Sequence, residues 1–127
     1  MIDTGTRTAV LLGICMLQGH IKKTNTHWWT NLDTGEPMKR NKGELIALIH
    51  SELSEALEGV RKNMMDTHLT HRPMEVVEMA DAVIRIVDYC AGYDLDLAGS
   101  IVEKLEYNAT REDHKRENRL KADGKKF

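Results

Sequence analysis

Residues 44–62 read "ELIALIHSELSEALEGVRK", and Leu45, Leu48, Ile49, Leu53, Ala56, Leu57 and Val60 return at three- and four-residue steps. That is the period of an amphipathic helix. The same step recurs in residues 74–91, "MEVVEMADAVIRIVDYCA", with Val77, Ala80, Ile84, Val87 and Ala91 as the stripe. Two further segments share it, at about residues 6–18 and through "LAGSIVEKLEYNATRED", and no segment alternates convincingly like a strand. The expected fold is therefore all-α, an antiparallel four-helix-bundle-type domain. A core drawn from four such helices is thin, so completion by a second or further copies is expected.

Local signals set the expected limits. The second helix occupies about residues 42–61. Pro73 suits the first position of the third, Gly92 its C-terminal cap, and Asp94 or Asp96 the N-cap of the fourth. At 127 residues the chain reads as one domain, 1–127, whose last stretch, about 112–127, is a charged and solvated tail. A net charge of −2 gives no reason to expect nucleic acid or an acidic membrane as partner. The longest apolar run, "AVLLGICML" at 9–17, is too short to span a bilayer, and it lacks a basic leader and a cleavage site. Cys15 and Cys90 lie in separate apolar segments without CxxC spacing. Both are expected as buried thiols in a reducing cytoplasm.

Two carboxylate pairs interrupt this pattern. At ~100° per residue, Glu52 falls ~20° from Leu45 and ~40° from Ala56, inside the apolar stripe. Glu55 follows one turn later, beside Leu48. On the next helix Asp81 falls ~40° and Asp88 ~20° from Val77, with Glu78 on the flank. Residues three apart on a helix are neighbours, so Glu52 with Glu55 and Glu78 with Asp81 are two pairs. Antiparallel packing brings the four acids into one small volume, where they must take up protons or hold a cation. Oxygen ligands without thiolate or imidazole favour Mg²⁺ or Mn²⁺. The plainer alternative is a set of groove-edge acids whose heads reach water. A di-iron bundle wants Glu-x-x-His from two helices, and no Glu here is followed by His at that spacing. His68 and His71, in the connection, read as solvated.

The fourth helix places Lys104, Asn108 and Arg111 on one face by their spacing of four and three. Lys and Arg there serve polyphosphate oxygens that a metal does not reach. An ordinary basic last turn is the alternative. "Glu52-x-x-Glu55", then "Glu78-x-x-Asp81", then "KLEYNATR" at 104–111 together resemble the signature of the MazG-like, all-α nucleoside triphosphate pyrophosphohydrolases, over about residues 44–118.

The resemblance implies a helical bundle forming dimers or tetramers, and Mg²⁺-dependent hydrolysis of (d)NTP to (d)NMP and pyrophosphate. It implies Glu52, Glu55, Glu78 and Asp81 as metal ligands or outer acids, with Glu55 the candidate for orienting or deprotonating water. Lys104, Asn108 and Arg111 would hold phosphate or ribose. The region before Glu44 matches no family pattern, yet "THWWTNLDTGEP" sets Trp28 and Trp29 side by side in a polar loop. One of them stacks on a base, with His27 or Asn25 at the base edge, or both are structural. A single-substrate relative of the dUTP or phosphoribosyl-ATP type, and a non-catalytic helical interaction module, are the competing readings.

Overall fold

A computed structural model describes all 127 residues, and the chain is all-α. Helices α1 (Thr4–Thr24), α2 (Lys42–Lys62), α3 (Met74–Gly92), α4 (Leu97–Thr110) and the short α5 (Arg116–Arg119) follow in order. Single 3-10 turns stand at Thr26–Trp29 and Glu112–His114. None of these helices is long and apolar enough to cross a membrane. The residues group into two compact units, one of 17–95 and one of 1–16 with 96–127.

The first unit is built on the antiparallel hairpin of α2 and α3. Asn41 caps α2, its side-chain oxygen accepting from the Glu44 N–H, and Asn63 ends the helix in the left-handed conformation. At the turn end the helices approach closely: a side chain on Gly59 would meet Met74 Cβ at 3.0 Å and the Glu75 nitrogen at 3.1 Å. Residues 63–73 are held by Asp66, whose carboxylate accepts from the His68 and Leu69 N–H groups at 2.9 and 2.5 Å. His68 and His71 are exposed, as expected.

The expected stripes are only partly the buried ones. On α2, Leu45, Glu52, Ala56 and Gly59 are buried, while Leu48, Leu53, Leu57 and Val60 are exposed. On α3 the buried set is Glu78, Ala82, Val87, Cys90 and Ala91, whereas Ala80 and Ile84 are exposed. The helix is thus turned toward Glu78, because α2 rather than the mean of its own apolar residues decides which side faces inward. The first helix also runs beyond residue 18 to Thr24, and Ile21 supplies its buried residue. It is tied within this unit by Gln18 Nε2 donating to the Leu95 carbonyl and by the Lys22–Asp94 ion pair at 2.5 Å.

In the second unit, Arg7 Nη2 donates to both oxygens of Glu106 at 2.7 Å. Asp96 is the N-cap of α4, accepting from the Gly99 N–H at 2.8 Å. That helix stops at Thr110, short of the expected end. The tail then folds on itself: the Arg119 guanidinium donates to the carbonyls of Lys125 and Lys126 at 3.1 and 2.7 Å. Cys90 is buried, but Cys15 is exposed, which corrects the expectation of two buried thiols. An apolar run places a residue on a helix without saying which side finds a partner.

Candidate functional site

Glu52 reaches the inner face of the hairpin because Leu45, Ala56 and Gly59 bury on the same side of α2. Glu78 enters from α3, and Glu55 stands one turn along from Glu52. One carboxylate oxygen from each of the three lies within 4.8 Å of the others, with Glu52 and Glu78 buried and Glu55 exposed. The crowding is visible in Glu78, whose carboxyl is pushed up to about 7. Burial is the main cause, followed by the negative charge of Glu55, then by Glu52 and Asp81. Asp81 stands outside this triad. Its carboxyl is raised by burial and by Glu52, against a lowering from the Arg85 guanidinium. Three carboxylates, with a fourth close enough to feel their charge, are an all-oxygen donor set that fits a hard divalent cation.

Glu52 also borders a cavity of about 480 Å³ whose lining includes Trp28, Arg40, Asp81, Arg85 and Asp88. Arg85 Nε donates to Glu52 Oε1 at 2.5 Å. The two tryptophans part company here. Trp28 is 59 % exposed and faces the cavity, with the His27 ring 4.9 Å away.

Trp29 turns the other way. Its Nε1 donates to both oxygens of Asp88 at 3.2 and 3.3 Å, and its ring meets Tyr93 edge-on at 5.3 Å. It lies so close over Gly92 that a Cβ there would come within 2.2 Å of the indole. Helix α3 ends at Gly92 as expected, but the cap position falls on Tyr93, Gly92 serves as a seat for the ring, and the positive φ falls on Asp94. The loop after Trp29 folds back through a bridge between Thr30 and Pro37, and Arg40 donates to the Trp28 carbonyl at 2.7 Å. Trp28 is thereby held at the cavity by its neighbours on both sides.

Lys104, Asn108 and Arg111 belong to the second unit. Lys104 Nζ and the Arg111 guanidinium carbon stand 4.8 and 5.9 Å from the Tyr107 ring centroid. Arg111 is held by Asp113 through two hydrogen bonds at 2.8 and 2.5 Å. Asn108 Oδ1 is buried and accepts no hydrogen bond.

Arg85 and Arg40 were not legible as site residues. For Arg85 a signal existed: it stands four residues after Asp81, one helical turn along the same face. Arg40 carried none, since a loop brings it in. Protein-family models, curated proteins and solved structures were all compared with the chain, and none matches.

Proposed function

We propose that the chain is a Mg²⁺-dependent nucleoside triphosphate pyrophosphohydrolase of the MazG-like kind, converting (d)NTP to (d)NMP and pyrophosphate. The observation that carries this reading is that Glu52 belongs both to a triad of carboxylates and to a cavity bordered by an exposed tryptophan and two arginines. An acidic cluster alone suits many roles. Acids joined to cations and a free aromatic face suit a metal-bound polyphosphate carrying a base.

Glu52, Glu55 and Glu78 would hold Mg²⁺ or Mn²⁺, with Asp81 as an outer acid. When bound, the cation supplies neutralising charge for phosphate oxygens and a lowered pKa for water. Glu55, the exposed member, orients the attacking water and takes its proton on a carboxylate oxygen. The water's oxygen bonds to the α-phosphorus, the bond to the bridging oxygen breaks, and pyrophosphate departs. Trp28 stacks on the base, and His27 or Asn25 meets the base edge. Lys104, Asn108 and Arg111 would hold phosphate or ribose by the sequence resemblance alone.

A second copy of the chain completes the fold in this reading. Leu53, Leu57 and Val60 on α2 and Val76, Met79 and Val83 on α3 are each at least 45 % exposed. Apolar faces of that kind are normally covered. Sedimentation as a monomer at micromolar concentration would remove this part of the reading.

The direct test is a panel of NTPs and dNTPs with Mg²⁺, assayed separately for pyrophosphate and orthophosphate. Pyrophosphate is expected as first product, with activity abolished by EDTA and restored by Mg²⁺ or Mn²⁺. Orthophosphate as first product would move attack to the γ-phosphorus and sink the reading. Turnover of a single nucleotide would narrow it to a dUTP- or phosphoribosyl-ATP-type enzyme. Neither turnover nor metal binding would leave a helical interaction module.

A further inference from the structure

Arg85 is the one cation in direct contact with the acidic triad. Its Nε donates to Glu52 Oε1, while Nη1 and Nη2 donate to no protein group. The Glu52 side chain is 10 % exposed and the Arg85 side chain 42 %, so the acid is enclosed and the guanidinium has a way out into the cavity. A guanidinium stays charged at any ordinary pH. It cannot make room for a second cation by losing a proton. It can only move.

We infer that Arg85 is a resident counter-ion of Glu52 that a divalent cation displaces, and that the displaced guanidinium then turns to a phosphate oxygen of the ligand in the cavity. This rests on the proposed reading of the triad as a cation site. Two arguments support it. A cation bound through Glu52 would stand within a few ångströms of the guanidinium, and like charges in so enclosed a place repel. The Nη groups that have no protein partner form the planar fork that matches phosphate oxygens, and Arg85 already lines the cavity with Trp28 and Arg40. Arg85 thus makes the two ligands help one another. Cation binding releases the anion's donor, and anion binding keeps the cation's competitor away. That reciprocity is required of any such linkage.

The inference is tested without turnover by titrating Mn²⁺ alone into wild type and Arg85→Gln in a calorimeter. Arg85→Gln should bind Mn²⁺ about tenfold more tightly, the competitor having been removed, within the usual range of such couplings. With Mn²⁺ saturating, the same variant should bind an α,β-methylene triphosphate analogue about tenfold more weakly. A second measurement uses the wild-type protein only. Its Arg85 Nε–Hε NMR signal, protected from exchange by Glu52, should lose that protection when Mg²⁺ is added. Mn²⁺ affinity equal to or below wild type in Arg85→Gln would overturn the inference, as would an Nε–Hε signal indifferent to Mg²⁺. In both cases, where the wild-type titration shows Mn²⁺ binding, the triad would remain a cation site with Arg85 merely orienting Glu52. If neither protein binds Mn²⁺, the inference and the reading beneath it fall together.

Discussion

Asp66 and Glu78 are both buried carboxylates of the same hairpin, 8 and 9 % exposed, yet they have opposite characters. Asp66 lies at the turn end and accepts two backbone N–H bonds, chiefly from Leu69 and then His68, which hold its carboxyl below the usual range. Glu78 lies among Glu55, Glu52 and Asp81, and burial and that company raise it to about 7. A buried acid supplied with donors organises the chain around it. A buried acid supplied with other acids leaves a demand for positive charge that the fold only partly meets. The turn is finished by its own donors; the acids beside it are crowded and only partly neutralised.

The largest effects should separate these two kinds of acid by mutation. Glu52→Gln and Glu78→Gln are each expected to lower kcat by roughly a hundredfold or more, with helical circular dichroism intact. The melting temperature of Glu78→Gln without metal should stay level or rise, because like-charge repulsion falls, whereas Glu52→Gln also loses the charge partner of Arg85. Asp66→Ala should do the reverse, lowering the melting temperature through two orphaned N–H groups while sparing kcat. A comparable melting loss in Glu78→Gln would break the comparison.

Next in size, the tryptophans divide along the same line. Base–aromatic stacking is worth ~1–3 kcal/mol, so Trp28→Ala should weaken kcat/KM by about ten- to a hundredfold. The loss should fall on intact nucleotides and spare a base-free triphosphate. Trp29→Ala should first lower stability, since its ring fills the place over Gly92.

The smallest expected effect is on pH dependence without metal. Glu78 is raised in the folded state, so folding takes up protons between about 4.5 and 7 and its contribution to stability falls as pH rises through that window. Asp66 is depressed, so its contribution is present above the ordinary value of 3.8 and is lost as pH falls through its lower folded value. Chemical denaturation at several pH values should show the first slope vanish in Glu78→Gln and the second in Asp66→Ala. Saturating Mg²⁺ should flatten the first alone.

Much of the helical framework was written in the apolar period, and Glu52 announced itself by interrupting it. The angles within α3 pointed to Asp81 and left Glu78 on the flank, because a helical wheel knows its own residues and not its partner's. The extension of α1 to Thr24 was hidden by a polar run whose helix is held by contacts made elsewhere, at Ile21, Gln18 and Lys22. Two adjacent tryptophans look alike in sequence. What divides them is a glycine and an aspartate about sixty residues away on α3, a relation no local pattern carries.

Residues 63–73 make α2 and α3 neighbours along the chain as well as in space. Closing so short a loop loses little entropy, and contacts of that kind form early in folding. The acids are therefore expected to meet while the hairpin is assembling, so that their repulsion is felt on the way into the native state more than on the way out. Whatever neutralises them (a proton, Arg85 or a divalent cation) acts chiefly on the rate of folding and only weakly on the rate of unfolding. If the proposed cation is the neutralising charge, it would also set how quickly a newly made chain reaches its native state.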